Sequence, residues 1–147
     1  MPDQKDILTQ EEHFHDEWAK SIQIDDIDVD MFFTCPSCPE NNIIRGWLGD
    51  IRGKRVLELG CGAGEASVFF AKQGAEVTAT DISEEMLLVA TRLAQKNGVA
   101  IATRKALSHD TTFRDNSFDI VYCANLLHHV NLEETLAEVR RVLVDGG

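Results

Sequence analysis

Three glycines at alternate positions, Gly60, Gly62 and Gly64, follow the apolar run Arg55-Val-Leu-Glu-Leu59 and precede a segment, Glu65 to Gly74, that carries Ala66, Phe69 and Phe70. A short apolar run bounded by glycines reads as a buried strand. The segment that stops at Gly74 reads as a helix with a glycine cap. Between a strand and a helix, glycines let the backbone turn sharply and approach a ligand with no Cβ in the way. Glu58 to Gly64 is therefore a ligand turn in an α/β fold.

The strand–helix unit then repeats. Glu76-Val-Thr-Ala-Thr80 is a second strand ending at Asp81, and Ser83 with Glu84, Glu85 and Met86 opens a helix that runs to Asn97-Gly98. Val99 to Arg104 is a third strand. Phe118 to Cys123 is a fourth, entered through the turn residues Asp115-Asn116-Ser117. Glu133 to Leu143 is a last amphipathic helix. Strands alternating with helices imply right-handed crossovers and a mostly parallel sheet.

Upstream, Phe14, Trp18 and Ile22 are spaced four apart, the one-sided pattern of a helix packing onto something else, and we read it as a lid or cap helix. Cys35-Pro-Ser-Cys38-Pro39 breaks the chain, and Pro39 is placed to begin a helix to Leu48. The sequence thus divides into an acidic cap and linker over 1–38 and a binding domain over 39–147.

The chain carries a formal charge of −11, and residues 1–31 hold ten Asp or Glu against only Lys5 and Lys20. A phosphate backbone needs clustered Lys and Arg, so nucleic acid is a disfavoured partner. The acidic run reads as a solvated face, with a cationic ligand as the sharper alternative. No basic n-region precedes an apolar stretch at the N-terminus and no run is long enough for a membrane span, so the expectation is a cytoplasmic protein with reduced thiols.

The glycine turn has two readings. A dinucleotide fingerprint, G-x-G-x-x-G, seats a pyrophosphate on the helix N-terminus. Its third glycine would fall at residue 65, which is Glu65. A carboxylate there meets the pyrophosphate with like charge, so an NAD-dependent oxidoreductase fits poorly. A ligand without phosphates fits better, and a cationic one would favour Glu58.

These residues resemble the first motif of the class I S-adenosylmethionine-dependent methyltransferases, E/D-x-G-x-G-x-G, which residues 58–64 match in full. Four further strings agree with the family in order and spacing: Asp81-Ile-Ser-Glu-Glu-Met86-Leu87, Phe113 to Asp119, Asn125-Leu-Leu-His128-His129-Val130, and Leu143-Val-Asp-Gly-Gly147. The resemblance implies that Glu58, Gly60, Cys61, Gly62 and Gly64 form the turn under the cofactor's methionine part. It also implies that Asp81 accepts from the ribose hydroxyls, that Ile82 and Met86 lie near adenine, and that Asn125 belongs to the cofactor edge. The nearest subgroup is the small-molecule enzymes related to ubiquinone and menaquinone biosynthesis.

One position departs from the family. The acidic residue that often holds the adenine amine falls at Leu107, so adenine would be read by backbone at Leu107 and Ser108 or by His109 or Asp110. The resemblance implies a Rossmann-like α/β/α sandwich with strand order 3-2-1-4, lacking the last three strands of the family's seven-stranded sheet. The fourth strand is then an edge open to self-association.

His128 and His129 follow the fourth strand, where parallel sheets bind ligands, and either is a candidate proton acceptor, with packing or capping as the plainer role. Cys35 and Cys38 have the spacing of a zinc knuckle but lack a second pair, so no metal is assigned, and loop thiols are the plainer reading. The function that follows is methyl transfer from S-adenosylmethionine to a small-molecule acceptor by in-line displacement. A non-catalytic cofactor-binding module is the alternative.

Overall fold

The computed structural model describes residues 4–147. Four parallel strands, β1 (Arg55–Leu59), β2 (Glu76–Asp81), β3 (Ala102–Lys105) and β4 (Ile120–Cys123), form one sheet in the order β3-β2-β1-β4. That is the Rossmann-like order expected from the alternating pattern, with the reversal of strand order falling between β1 and β4. Val56 pairs with Val77 on one side and Ile120 on the other, which sets all three strand ends level at the glycine turn.

Helices α4 (Glu65–Lys72) and α5 (Glu84–Lys96) follow β1 and β2, and α6 (Leu132–Val142) follows β4. Local chemistry explains the boundaries. The Ser83 hydroxyl accepts from the Met86 N–H, and Asn131 Oδ1 accepts from the N–H groups of Glu133 and Glu134, so both helices start on side-chain caps. Beyond α6 the chain lies beside β4, where Phe118 and Leu143 form a parallel bridge and the Val144 N–H donates to the Phe118 carbonyl. The segment that leads into β4 is thereby covered.

β1 is central and almost wholly buried, and its first residue is tied to β4: Asp119 accepts from the Arg55 N–H at 2.8 Å and from its guanidinium. That guanidinium holds the Asp119 carboxyl down at about 2.

The N-terminal region differs from expectation in two ways. A helix not anticipated from sequence, α2 (Val29–Thr34), enters the core, with Val29 and Phe33 buried and Phe33 stacked on Phe69 at 4.3 Å. Six residues give too short a period to stand out beside the acidic run around them. Helix α3 (Pro39–Leu48) begins and ends where the proline and Gly49 place it.

Helix α1 (Gln4–Ser21) does pack on α5, but not through its aromatic stripe. Phe14 and Trp18 are 63% and 51% exposed, whereas Ala19 is buried and Leu8, Glu11, Glu12, His15 and Asp16 are partly covered. The inward face is polar because α1 crosses the carboxyl edge of the sheet, where Ser83 and Lys105 offer hydrogen-bond donors. Among the described residues, no helix is long and apolar enough to cross a membrane.

Candidate functional site

At the end of β1 the chain turns through Gly60, Gly62 and Gly64, all with positive φ. The turn is anchored to β2: the Cys61 N–H donates to the Thr80 carbonyl and the Gly62 N–H to Asp81 Oδ2, both at 2.9 Å. Asp81 Oδ1 accepts from the Ser83 N–H at 3.0 Å. One buried carboxylate thus ties the glycine turn to the first turn of α5.

The glycines serve different ends. A Cβ on Gly62 would meet open space, which leaves its backbone approachable. A Cβ on Gly64 would stand 2.6 Å from the Cβ of Ala90, so the third glycine is required by the closeness of α4 to α5 rather than by a ligand. Gly60 faces the side chain of Leu126, whose Cδ1 would lie 3.1 Å from an added Cβ. Leu126 therefore walls the turn from the β4 side, a role that nothing in its sequence context marks.

Glu58 lies beneath the turn rather than at its mouth. It is 4% exposed and accepts a 2.5 Å hydrogen bond from Ser67, in α4. Burial pushes its carboxyl up to about 8; the Ser67 bond works against this, and the nearby Glu65 and Asp81 add to it. Burial likewise raises Glu65 and pushes the Cys61 thiol well above its ordinary range. The Asp81 carboxylate beside the turn opposes an anion, while Glu58 beneath it is held in its neutral form by burial. The donor set fits a sulfonium and an ammonium better than a pyrophosphate.

Beside the turn is a cavity of about 230 Å³ lined by Leu8, Glu12, Ile82, Lys105, Ala106 and Leu107. Ile82 and Leu107, far apart in sequence, thus line one cavity. Met86 does not reach it: that side chain is fully buried with Ala19, Ala63 and Val89. Ser108 turns away as well, its hydroxyl 3.0 Å from that of Thr135 in α6. Three residues on, Thr111 donates from its N–H and hydroxyl to Glu138.

Past β4, Asn125 has a left-handed backbone and an exposed side chain. His128 and His129 are exposed with ring centroids 3.9 Å apart, and His129 Nδ1 lies 3.9 Å from Glu11 Oε1 on α1. The α1 contacts extend along the edge: Ser83 Oγ donates to Asp16 Oδ1 and Lys105 Nζ to Glu12 Oε1, each at 2.5 Å. Glu12 and Asp16 carry no sequence signal of their own, because they belong to an acidic run whose ordinary role is solvation.

A larger cavity, about 410 Å³, lies at the far end of α4 against α3. Arg45 is the one titratable group lining it, so it offers no proton-transfer chemistry. Cys35 Sγ is 2.8 Å from Ser37 Oγ, and the thiol is free like that of Cys38. Among the described residues no cluster of three or more metal-ligating side chains occurs.

Residues 56–147 match the family model described as a methyltransferase domain. A ubiquinone biosynthesis O-methyltransferase of Actinobacillus pleuropneumoniae is 39% identical over 83 residues, 53% of this chain and 36% of that protein. The crystal structure of the YcgJ protein of Bacillus subtilis superposes with a TM-score of 0.66 at 30% identity, over 70% of this chain and 45% of that one. A phosphoethanolamine N-methyltransferase of Haemonchus contortus, solved with phosphoethanolamine and S-adenosylhomocysteine, shares the fold with a TM-score of 0.72 at 18% identity. It covers 97% of this chain and 31% of its own. The chain spans less than half the length of these relatives.

Proposed function

The chain belongs to the class I S-adenosylmethionine-dependent methyltransferases, and on that premise we propose that it holds the cofactor along the carboxyl edge of its sheet and directs methyl transfer to an oxygen of a small molecule. The observation that carries the reading is the continuity of three parts: the approachable turn at Gly60 to Gly62, the Asp81 carboxylate tied to it, and the Ile82–Leu107 cavity beside them. Turn, carboxylate and slot match in order the methionine, ribose and adenine of the cofactor.

S-adenosylmethionine, when bound, would supply an electrophilic methyl group on its sulfonium, with S-adenosylhomocysteine as the leaving group. The protein's own residues bind and align. Asp81 spends one lone pair of each oxygen on backbone donors and keeps others for the ribose hydroxyls. The backbone of Gly60, Cys61 and Gly62 faces the methionine part, with Glu58 packed beneath the turn against Ser67. Ile82 and Leu107 flank adenine, and Asn125 borders the edge on the β4 side. Met86 and Gly64 contribute by packing, and Ser108 by holding its loop to α6. Alignment of this kind accounts for roughly 7–11 kcal/mol of barrier in well-oriented systems.

An oxygen acceptor is supported by the O-methyltransferase relatives in ubiquinone biosynthesis. His128 and His129, at the mouth, are the groups we assign to accept its proton. Residues 1–38 act as a cap through α1, the remainder being the binding domain. The setting we propose is cytoplasmic, without a nucleic acid partner, and with self-association through the upper part of the β4 edge.

The test is transfer of a tritiated methyl group from S-adenosylmethionine to a panel of small phenols and alcohols. Label in product supports the reading. Cofactor binding without transfer to any acceptor supports a binding module instead, and tight binding of NAD alone would point to an oxidoreductase.

A further inference from the structure

The adenine slot poses a question that its own loop does not answer. The family resemblance implies an acid at Leu107 to accept from the exocyclic amine, and Leu107 has none. In the loop itself the Leu107 carbonyl already accepts from the Asp110 N–H at 3.2 Å, and the Ser108 hydroxyl is paired with Thr135. His109 and Asp110 do not line the cavity.

Among the side chains that do line it, Leu8, Ile82, Ala106 and Leu107 are apolar and Lys105 is a donor only. Glu12, on α1, is the one acceptor. Its position is fixed, because Lys105 Nζ at the end of β3 donates to Oε1 at 2.5 Å, and one turn further along α1 the Ser83 hydroxyl holds Asp16. The hydrogen bond from Lys105 to Glu12 also raises Lys105 above its ordinary range.

We propose that Glu12 is the adenine-reading residue of this protein, with Oε2 accepting from the exocyclic amine while Oε1 stays on Lys105. The inference rests on the cofactor reading above. A carboxylate has about four lone-pair sites, so a second donor is accommodated without breaking the ion pair. Lys105 offsets the charge that would otherwise make a carboxylate costly beside an apolar ring. The acid has in effect moved from the loop after β3 to the cap helix, so nucleobase recognition and the seating of α1 become one event. Cofactor binding then draws α1 onto the sheet edge, and α1 in turn slows cofactor release.

The test compares S-adenosylhomocysteine with S-inosylhomocysteine, in which a carbonyl oxygen replaces the amine, by titration calorimetry. A carbonyl facing Glu12 meets an acceptor with an acceptor, so the unaltered chain should prefer the adenine compound by about 10- to 100-fold. Glu12→Ala should reduce that preference to about threefold or less, and Glu12→Gln, whose amide can donate to the carbonyl, should shrink or reverse it. Circular dichroism confirms that each variant is folded.

Equal preference in Glu12→Ala and the unaltered chain overturns the proposal. So does a preference below about twofold in the unaltered chain, which needs no variant. Binding of neither compound by the unaltered chain overturns the cofactor reading itself, and this inference with it.

Discussion

The hydroxyl of Ser67 in α4 donates to the carboxyl of Glu58 in β1 at 2.5 Å, in a space almost closed to water. Strand and helix are thus joined directly beneath the glycine turn by a group that is neutral at moderate pH. Its folded pKa of about 8 lies above the ordinary 4.5, so the native state binds the proton more tightly than the unfolded chain. The stability this gives is complete below the unfolded value and is lost as pH rises through the folded one.

Between about pH 5.5 and 8.5 the unaltered chain should lose on the order of 3 kcal/mol from this group, near 1.4 kcal/mol per unit until the pH approaches 8. Glu58→Gln keeps an acceptor for Ser67 and removes the titration. Urea unfolding at the two pH values should show a steep loss in the unaltered chain and a shallow one in the variant. Parallel losses would refute the assignment.

Gly64→Ala places a Cβ against Ala90 at 2.6 Å and forces a φ of 86° on a residue with a side chain. The two costs together should amount to about 2–4 kcal/mol. Adding Ala90→Gly relieves the contact but not the dihedral. In a double-mutant cycle the pair should be less destabilised than the sum of the single changes by about 1 kcal/mol or more. Additivity would mean the helices separate freely.

Glu138 pins the Leu107–Thr111 loop to α6, and Arg141, then the Thr111 hydroxyl and N–H, hold its carboxyl down at about 2. A lowered pKa contributes stability that is present above the unfolded value and lost as pH falls toward 2. Glu138→Gln should therefore cost about 1–2 kcal/mol at neutral pH, with Arg141 partly screened by solvent. The gap to the unaltered chain should close in acid. A gap that stays constant down to the acid transition would show that charge is not what holds the loop.

If His128 and His129 take the acceptor's proton, replacing both by alanine should lower kcat by about 10²- to 10⁴-fold while the dissociation constant for S-adenosylhomocysteine stays within a factor of about two. A matching loss of cofactor affinity would make the pair structural.

Much of the fold is legible in the sequence because punctuation and period agree there. Gly60 to Gly64 mark the strand-to-helix turn, Ser83 caps α5, and Pro39 opens α3. Asp81 and Ile82 could be placed from a strand end and a motif. What is not legible depends on surfaces meeting across the molecule. Phe33 gives no sign in α2 of the ring it stacks on, and Ser67 reads as one small residue in a buried helix. Glu12 lies in an acidic run whose default reading is solvation, and only the placement of α1 over Lys105 separates it from its neighbours.

Seating of the cofactor on the Gly60–Gly62 turn, with Asp81 beneath it and the Ile82–Leu107 slot beside it, is tested most directly by amide nuclear magnetic resonance. The ¹⁵N-labelled chain is titrated with S-adenosylhomocysteine and, separately, with NAD. Saturable shifts centred on Gly60, Cys61, Gly62, Ile82 and Leu107 are expected with the first ligand, abolished or weakened at least about tenfold in Asp81→Ala. Shifts centred instead on the α3–α4 cavity, or the same pattern produced by NAD, would contradict it.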